Sequence, residues 1–151
     1  MLDPMRFLTA LVMLLALAGS SRAGDALRPY AGTIVISPAA PPTAATELPA
    51  YLAANAVKDG SYDLTKGPPW PMNLVGVLSR DVTRPVTLVF ADKADKKLAP
   101  LFAIEVSSKK RVVIAHTEAT VAAGFAAGKT YLVRLMLGKT VLARAELTLR
   151  D

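Results

Sequence analysis

The stretch TYLVRLMLGKTVLARAELTL, residues 130–149, decides the fold class. Its first half places apolar side chains at Tyr131, Val133, Leu135 and Leu137. Its second half does the same at Val141, Ala143, Ala145, Leu147 and Leu149, with Gly138-Lys139 between the two. Side chains on a strand alternate between its faces with a period of two, so this is the pattern of two half-buried strands joined by a turn. The turn sets the register. A two-residue loop at Gly138-Lys139 puts Val133 opposite Arg144 and Tyr131 opposite Glu146, mixing a buried face with a solvated one. A three-residue loop, Gly138-Lys139-Thr140, or an equivalent bulge, pairs Leu137 with Val141, Leu135 with Ala143, Val133 with Ala145 and Tyr131 with Leu147. The second register is the expected one. It leaves Leu132, Met136 and Leu142 beside Arg134, Arg144 and Glu146 on an amphipathic outer face, a candidate contact surface.

Upstream, the same signal repeats. Met72–Ser79, Val86–Ala91, Leu101–Val106 and Val112–Thr117 are short apolar runs bounded by turn-forming or charged residues, and Thr33–Ser37 is a β-branched run that stops at Pro38. With the final pair this makes about seven strands, and the connections after Met72 are too short for parallel crossovers. Residues 38–46, with Pro41 and Pro42, read as an extended connector. Leu48, Tyr51, Leu52 and Ala56 recur at helical spacing, with Thr46 as N-cap and Gly60 as stop, so one short helix is expected between the first two strands, covering an open end or edge of a sheet. Residues 61–71, ending in Pro68-Pro69-Trp70-Pro71, read as a loop carrying the one tryptophan. The expectation is a mainly β chain, an antiparallel sandwich occupying residues 24–151 as one domain.

Ala127-Gly128-Lys129-Thr130-Tyr131-Leu132-Val133-Arg134 resembles the turn-then-tyrosine entry to the penultimate strand of immunoglobulin-like and fibronectin type III-like domains. The resemblance implies an immunoglobulin-like β-sandwich in which the tyrosine bonds back to upstream backbone. It covers the last quarter of the chain and implies a fold, not an activity. The helix between the first two strands departs from those modules.

The N-terminus reads separately. Arg6 precedes an apolar run over residues 7–18 broken by Thr9 alone, and Ser21-Arg22-Ala23 places small residues three and one positions before Gly24. This is the layout of a secretory signal peptide over residues 1–23, with an apolar run shorter than the roughly 18–20 residues that cross a bilayer. The expected location is extracytoplasmic, periplasmic or secreted, with no transmembrane span after cleavage. The competing reading is an uncleaved anchor, since Asp3 offsets Arg6.

The 151 residues hold 18 Lys and Arg against 12 Asp and Glu, a net charge of +6; loss of Arg6, Arg22 and Asp3 with the signal would leave +5. A basic exported domain has little access to nucleic acid, which leaves an anionic glycan, another anionic envelope component or an acidic protein surface as the partner. The absence of cysteine removes disulfides, thiolate metal sites, iron–sulfur clusters and cysteine nucleophiles. No cofactor or metal is expected, because a single histidine leaves few ways to build a transition-metal site.

The motifs that imitate chemistry lack their context. Gly128-Lys129-Thr130 and Gly138-Lys139-Thr140 end like a phosphate-binding loop, yet Ala123 and Val133 stand where its first glycine belongs, and strands follow both. His116-Thr117-Glu118 has the spacing of a zinc deaminase motif without the cysteine pair. Asp59, Asp63, Asp81, Asp92 and Asp95 are scattered in loops with no repeat to organise them as a glycosidase pair or calcium site. Two features are left as binding candidates: Lys109-Lys110-Arg111, read as the tip of a hairpin between residues 102–106 and 112–114, and Trp70, whose ring could stack on a sugar or plug the core edge. The function expected is a non-catalytic exported binding or assembly module. The alternatives are an exported hydrolase with a carboxylate-based site and a purely structural domain.

Overall fold

A computed structural model describes residues 26–151; the signal-peptide reading lies outside them. After a 3-10 turn at Arg28–Tyr30 come β1 (Thr33–Ser37), a second 3-10 turn at Ala45–Glu47, α1 (Leu48–Asn55), β2 (Ser61–Leu64), β3 (Trp70–Val77), β4 (Val86–Asp92), β5 (Pro100–Val106), β6 (Val112–Ala119), β7 (Thr130–Leu137) and β8 (Thr140–Leu149). The chain is mainly β, and the strands form one mixed, nearly closed barrel-like sheet in the order β5-β4-β7-β8-β1-β3-β6, with β2 also on β8. No helix among the described residues is long and apolar enough to cross a membrane.

The all-antiparallel expectation is corrected at β8. This ten-residue strand pairs with β7 along one edge and gives its other edge first to β1, through Thr33 opposite Arg144, and then to β2, from Ser61 opposite Glu146 to Leu64 opposite Leu149. Both of those pairings are parallel. The 23 residues between β1 and β2, α1 among them, are long enough for the crossover that parallel strands need. Residues 61–64 thus form a strand where a loop was expected, because Tyr62 and Leu64 alternate with Ser61 and Asp63 and bury one face.

A second correction concerns β5 and β6. They are the two ends of the sheet and do not pair, so residues 107–111 connect opposite edges instead of forming a hairpin tip. Two hairpins remain, β4–β5 and β7–β8.

In the β7–β8 hairpin Tyr131 faces Leu147, Val133 faces Ala145 and Leu135 faces Ala143, as expected from the alternation. A bulge between Leu135 and Met136 then shifts the pairing to Met136 with Val141 and Leu137 with Thr140, so the turn is the tight Gly138-Lys139. The shift exchanges two faces near the turn. Leu142 is buried and Val141 exposed, the reverse of the sequence expectation. The outer face is also less open than expected: the 93–99 loop folds toward it, with Arg134 Nη2 donating to the Leu98 carbonyl at 3.3 Å and Lys93 paired with Glu146 at 2.8 Å.

The core is continuous through the barrel, from Ile34, Leu74 and Leu88 to Val133, Leu135 and Leu147. α1 packs on β1, with Leu48 and Leu52 buried. Thr46 does not cap it; the N-cap is Glu47, which makes no side-chain cap bond, and Ala56 ends the helix by turning to extended geometry before Gly60 is reached. The Tyr131 hydroxyl accepts the Ala126 N–H at 2.8 Å, the backbone tie that the resemblance implied, and Tyr62 accepts the Val57 N–H at 3.1 Å in the same way. Each tyrosine fixes the entry to its strand, and the two flank Leu147 from opposite sides of β8.

Candidate functional site

Strand direction decides which loops meet. β3 ends at Val77 opposite Val112, the first residue of β6; β5 ends at Val106 opposite Val86, the first residue of β4; and Thr87 lies opposite Met136 beside the β7–β8 turn. The loops 78–85, 107–111 and 138–139 therefore leave the barrel at the same end. They carry Arg80, Arg84, Lys109, Lys110, Arg111 and Lys139, all exposed, with Asp81 as their one carboxylate. Glu105, on the outer side of β5 opposite Thr87, is the next nearest acid along the strands.

The end is closed and braced beneath these charges. Leu78 and Val82 are buried as its plug. The Leu78 N–H donates to the Arg111 carbonyl at 2.7 Å, Val82 to Lys110 at 3.3 Å, and Ser79 to Leu142 at 2.9 Å, which laces the 78–85 loop to the basic turn and to β8. Lys109 and Val112 exchange two backbone bonds, and Lys110 between them takes a left-handed φ of 57°, so the turn is tight and its cations point away from the core. Arg111 Nε meets Asp81 Oδ1 at 2.9 Å. An open depression of about 250 Å³ between Gly32, Ser79 and residues 141–144 lies at this end, with Arg144 on its rim.

The opposite end has as many cations as these three loops carry, and a different balance. Lys66, Lys93, Lys96, Lys97, Lys129 and Arg150 are matched there by Asp63, Asp92, Asp95, Glu118, Glu146 and Asp151. Lys129 pairs with Asp92 at 3.1 Å, Lys93 with Glu146, and Arg150 with Asp63 at 3.6 Å. The Ala94 N–H and then Lys129 hold the Asp92 carboxyl below its ordinary range, and Asp92 in turn raises Lys129. With the strand residues counted at both ends, Arg144 and Glu105 cancel at the first end while Asp63, Asp92, Glu118 and Glu146 neutralise the second, so the positive excess lies at the first end.

Of the residues singled out from sequence, Lys109, Lys110 and Arg111 lie at the cationic end, and Trp70 does not join them. Trp70 opens β3 opposite Ala119, seven residues and so about 23 Å along the strand from Val77. Its indole is 1% exposed and donates from Nε1 to the Arg150 carbonyl at 2.8 Å. Beside it at that end Phe125 packs on Phe90 and Tyr131 with ring centroids 5.6 and 4.9 Å apart. His116 and Glu118 share the outer face of β6, where His116 Nδ1 sits 3.0 Å from Asn73 Oδ1. Gly128-Lys129-Thr130 is a turn whose glycine N–H is spent on the Leu149 carbonyl. Sequence reasoning missed Arg80, Arg84 and Lys139; their only signal was a position in predicted turns, which does not say that those turns converge.

No family model matches this chain, and no curated protein matches it. Among solved structures it has a likeness to Pseudomonas fluorescens alkylpurine DNA glycosylase AlkC bound to DNA containing an abasic site analog. The TM-score is 0.31 at 10% identity, over 62% of this chain and 28% of that one. A likeness of that size carries no conclusion about fold or function.

Proposed function

We propose that this protein is an exported, non-catalytic binding or assembly module that holds an anionic partner, a glycan, another envelope component or an acidic protein surface, on the cationic end of its barrel. The supporting observation is the gathering of Arg80, Arg84, Lys109, Lys110, Arg111 and Lys139 around a single carboxylate, on loops braced to one another by backbone bonds. Charges held on a braced surface lose little conformational freedom when a polyanion settles on them, and their fields add. The basic excess, read from composition as a property of the whole chain, becomes a localised surface. Export rests on the apolar run and the Ser21-Arg22-Ala23 pattern, and N-terminal sequencing of extracytoplasmic material should begin at Gly24.

The test compares two triple neutralisations of equal charge, Lys109, Lys110 and Arg111 to Gln against Lys66, Lys96 and Lys97 to Gln. Retention on a sulfated polysaccharide matrix and on anionic vesicles should fall for the first set only, and wild-type retention should weaken as salt shortens the screening length from about 8 Å at physiological strength. Equal losses for both sets would mean that net charge alone acts, and salt-insensitive retention would remove the cationic end from the account.

A further inference from the structure

β6 ends the sheet, and the phase of its backbone is fixed. Leu78 donates to the Arg111 carbonyl, and Val77 lies opposite Val112. Bonded and non-bonded pairs alternate along an antiparallel ladder, so residues 111, 113, 115 and 117 turn their N–H and C=O groups toward β3, and the even-numbered residues turn theirs to the free edge. Pro71, which has no N–H, stands opposite Glu118 in a non-bonded pair, as this phase requires. The outward groups of Val112 are taken by Lys109 at 2.8 and 3.0 Å, and the Thr120 carbonyl is taken by Ala123 and Phe125 at the turn that follows the strand. Between these two stops, Ile114, His116 and Glu118 present their outward backbone groups with no strand beside them among the described residues.

We propose that this edge pairs antiparallel with the same edge of a second copy of the chain, about a two-fold axis at His116. Ile114 then lies opposite the partner's Glu118. In this register each of the three residues exchanges both of its bonds; a shift of two residues either way leaves one residue of each strand unpaired. The stops agree with it, because Val112 with its Lys109 turn falls opposite the partner's Thr120, where the partner strand ends. Ile114, 49% exposed, gains cover from the partner's Glu118 stem. The charges permit it as well. Near the axis lie His116 and Glu118 of each strand, while the two Arg111 backbone positions are about 33 Å apart at a strand rise of about 3.3 Å, several screening lengths. The dimer presents its two cationic ends in opposite directions, the geometry of a cross-linking module.

The chain has no cysteine, so single cysteines report the register unambiguously. Bonded antiparallel partners have Cα atoms about 5.5 Å apart, within disulfide range, whereas residue 114 and its copy are about 14 Å apart in this register. Under mild oxidation His116→Cys should become a covalent dimer and Ile114→Cys should not. Light scattering on the purified protein should show a concentration-dependent dimer, and His116→Pro, which removes an outward N–H, no backbone bond to β3 and only the exposed side-chain bond to Asn73, should be monomeric with a cooperative melt retained. A wild-type protein that stays monomeric up to millimolar concentration overturns the proposal. So does a dimer in which His116→Cys fails to cross-link or Ile114→Cys cross-links equally well.

Discussion

Gly76 allows the closure of the barrel to be tested by a pair of substitutions with opposite signs. It lies in β3 with its Cβ direction pointing inward, and a methyl group there would overlap Leu135 Cδ1 of β7. β3 and β7 are not neighbours in the sheet, since β8 and β1 stand between them, so this contact crosses the interior. Gly76→Ala alone must push Leu135 aside in a packed core, which costs about 1–3 kcal/mol. Leu135→Ala alone removes a side chain that is 2% exposed and costs about 2–5 kcal/mol in lost burial and cavity. In the double variant the new methyl enters the space that Leu135 vacates, and replacing a strand glycine by alanine recovers about 0.5–1 kcal/mol of backbone entropy. Gly76→Ala should therefore destabilise the wild type and be neutral or stabilising in the Leu135→Ala background, a coupling of about 1–3 kcal/mol. At this chain length each kcal/mol moves the melting temperature by about 3–5 °C, and urea titrations with matched slopes would give the four free energies directly. If the two substitutions add, the contact across the interior is absent and the barrel-like closure is wrong.

Val133→Asp should abolish the cooperative melt by burying an unpaired carboxylate on the interior side of β7; a variant that melts like wild type would contradict the inward register. Tyr131→Phe leaves the Ala126 N–H without its acceptor and should lower stability by about 1–2 kcal/mol with no change in denaturant slope, whereas an unaffected midpoint would show that the corner bond is replaced by water. Asp92 has its folded pKa lowered by the Ala94 N–H and Lys129, so its stabilising effect is present above the unfolded value of about 3.9 and is lost as the pH falls through the folded value. Asp92→Asn should therefore melt below wild type near neutral pH and converge with it in strong acid; a gap that widens on acidification would reverse the assigned sign.

The strands were legible because each buries a face and the period of two survives any tertiary arrangement. Thr33–Ser37 was read with its observed bounds, and the pairing of Tyr131, Val133 and Leu135 followed from a hairpin whose two halves carry matching apolar faces. β2 was missed because four residues with two apolar members among turn formers give too little periodic signal, and their strand geometry depends on the edge that β8 offers. The basic triplet was read in the right sequence position and the wrong setting. Apolar runs such as residues 102–106 and 112–114 look like partners when only five residues separate them, yet burial of both is met by pairing with β4 and β3 instead.

Composition and pattern thus determine by themselves that this chain is mainly β, that cysteine chemistry is unavailable to it, and that its surplus charge is positive. Where that charge goes is a matter of strand order. Arg80, Lys110 and Lys139 are about thirty residues apart in sequence and share one end of the barrel because β3, β6 and β7 each begin or finish there. Side-chain periodicity records which face of a strand is buried, but it carries no information on which strand lies beside it, so the convergence of loops exists only in the tertiary structure.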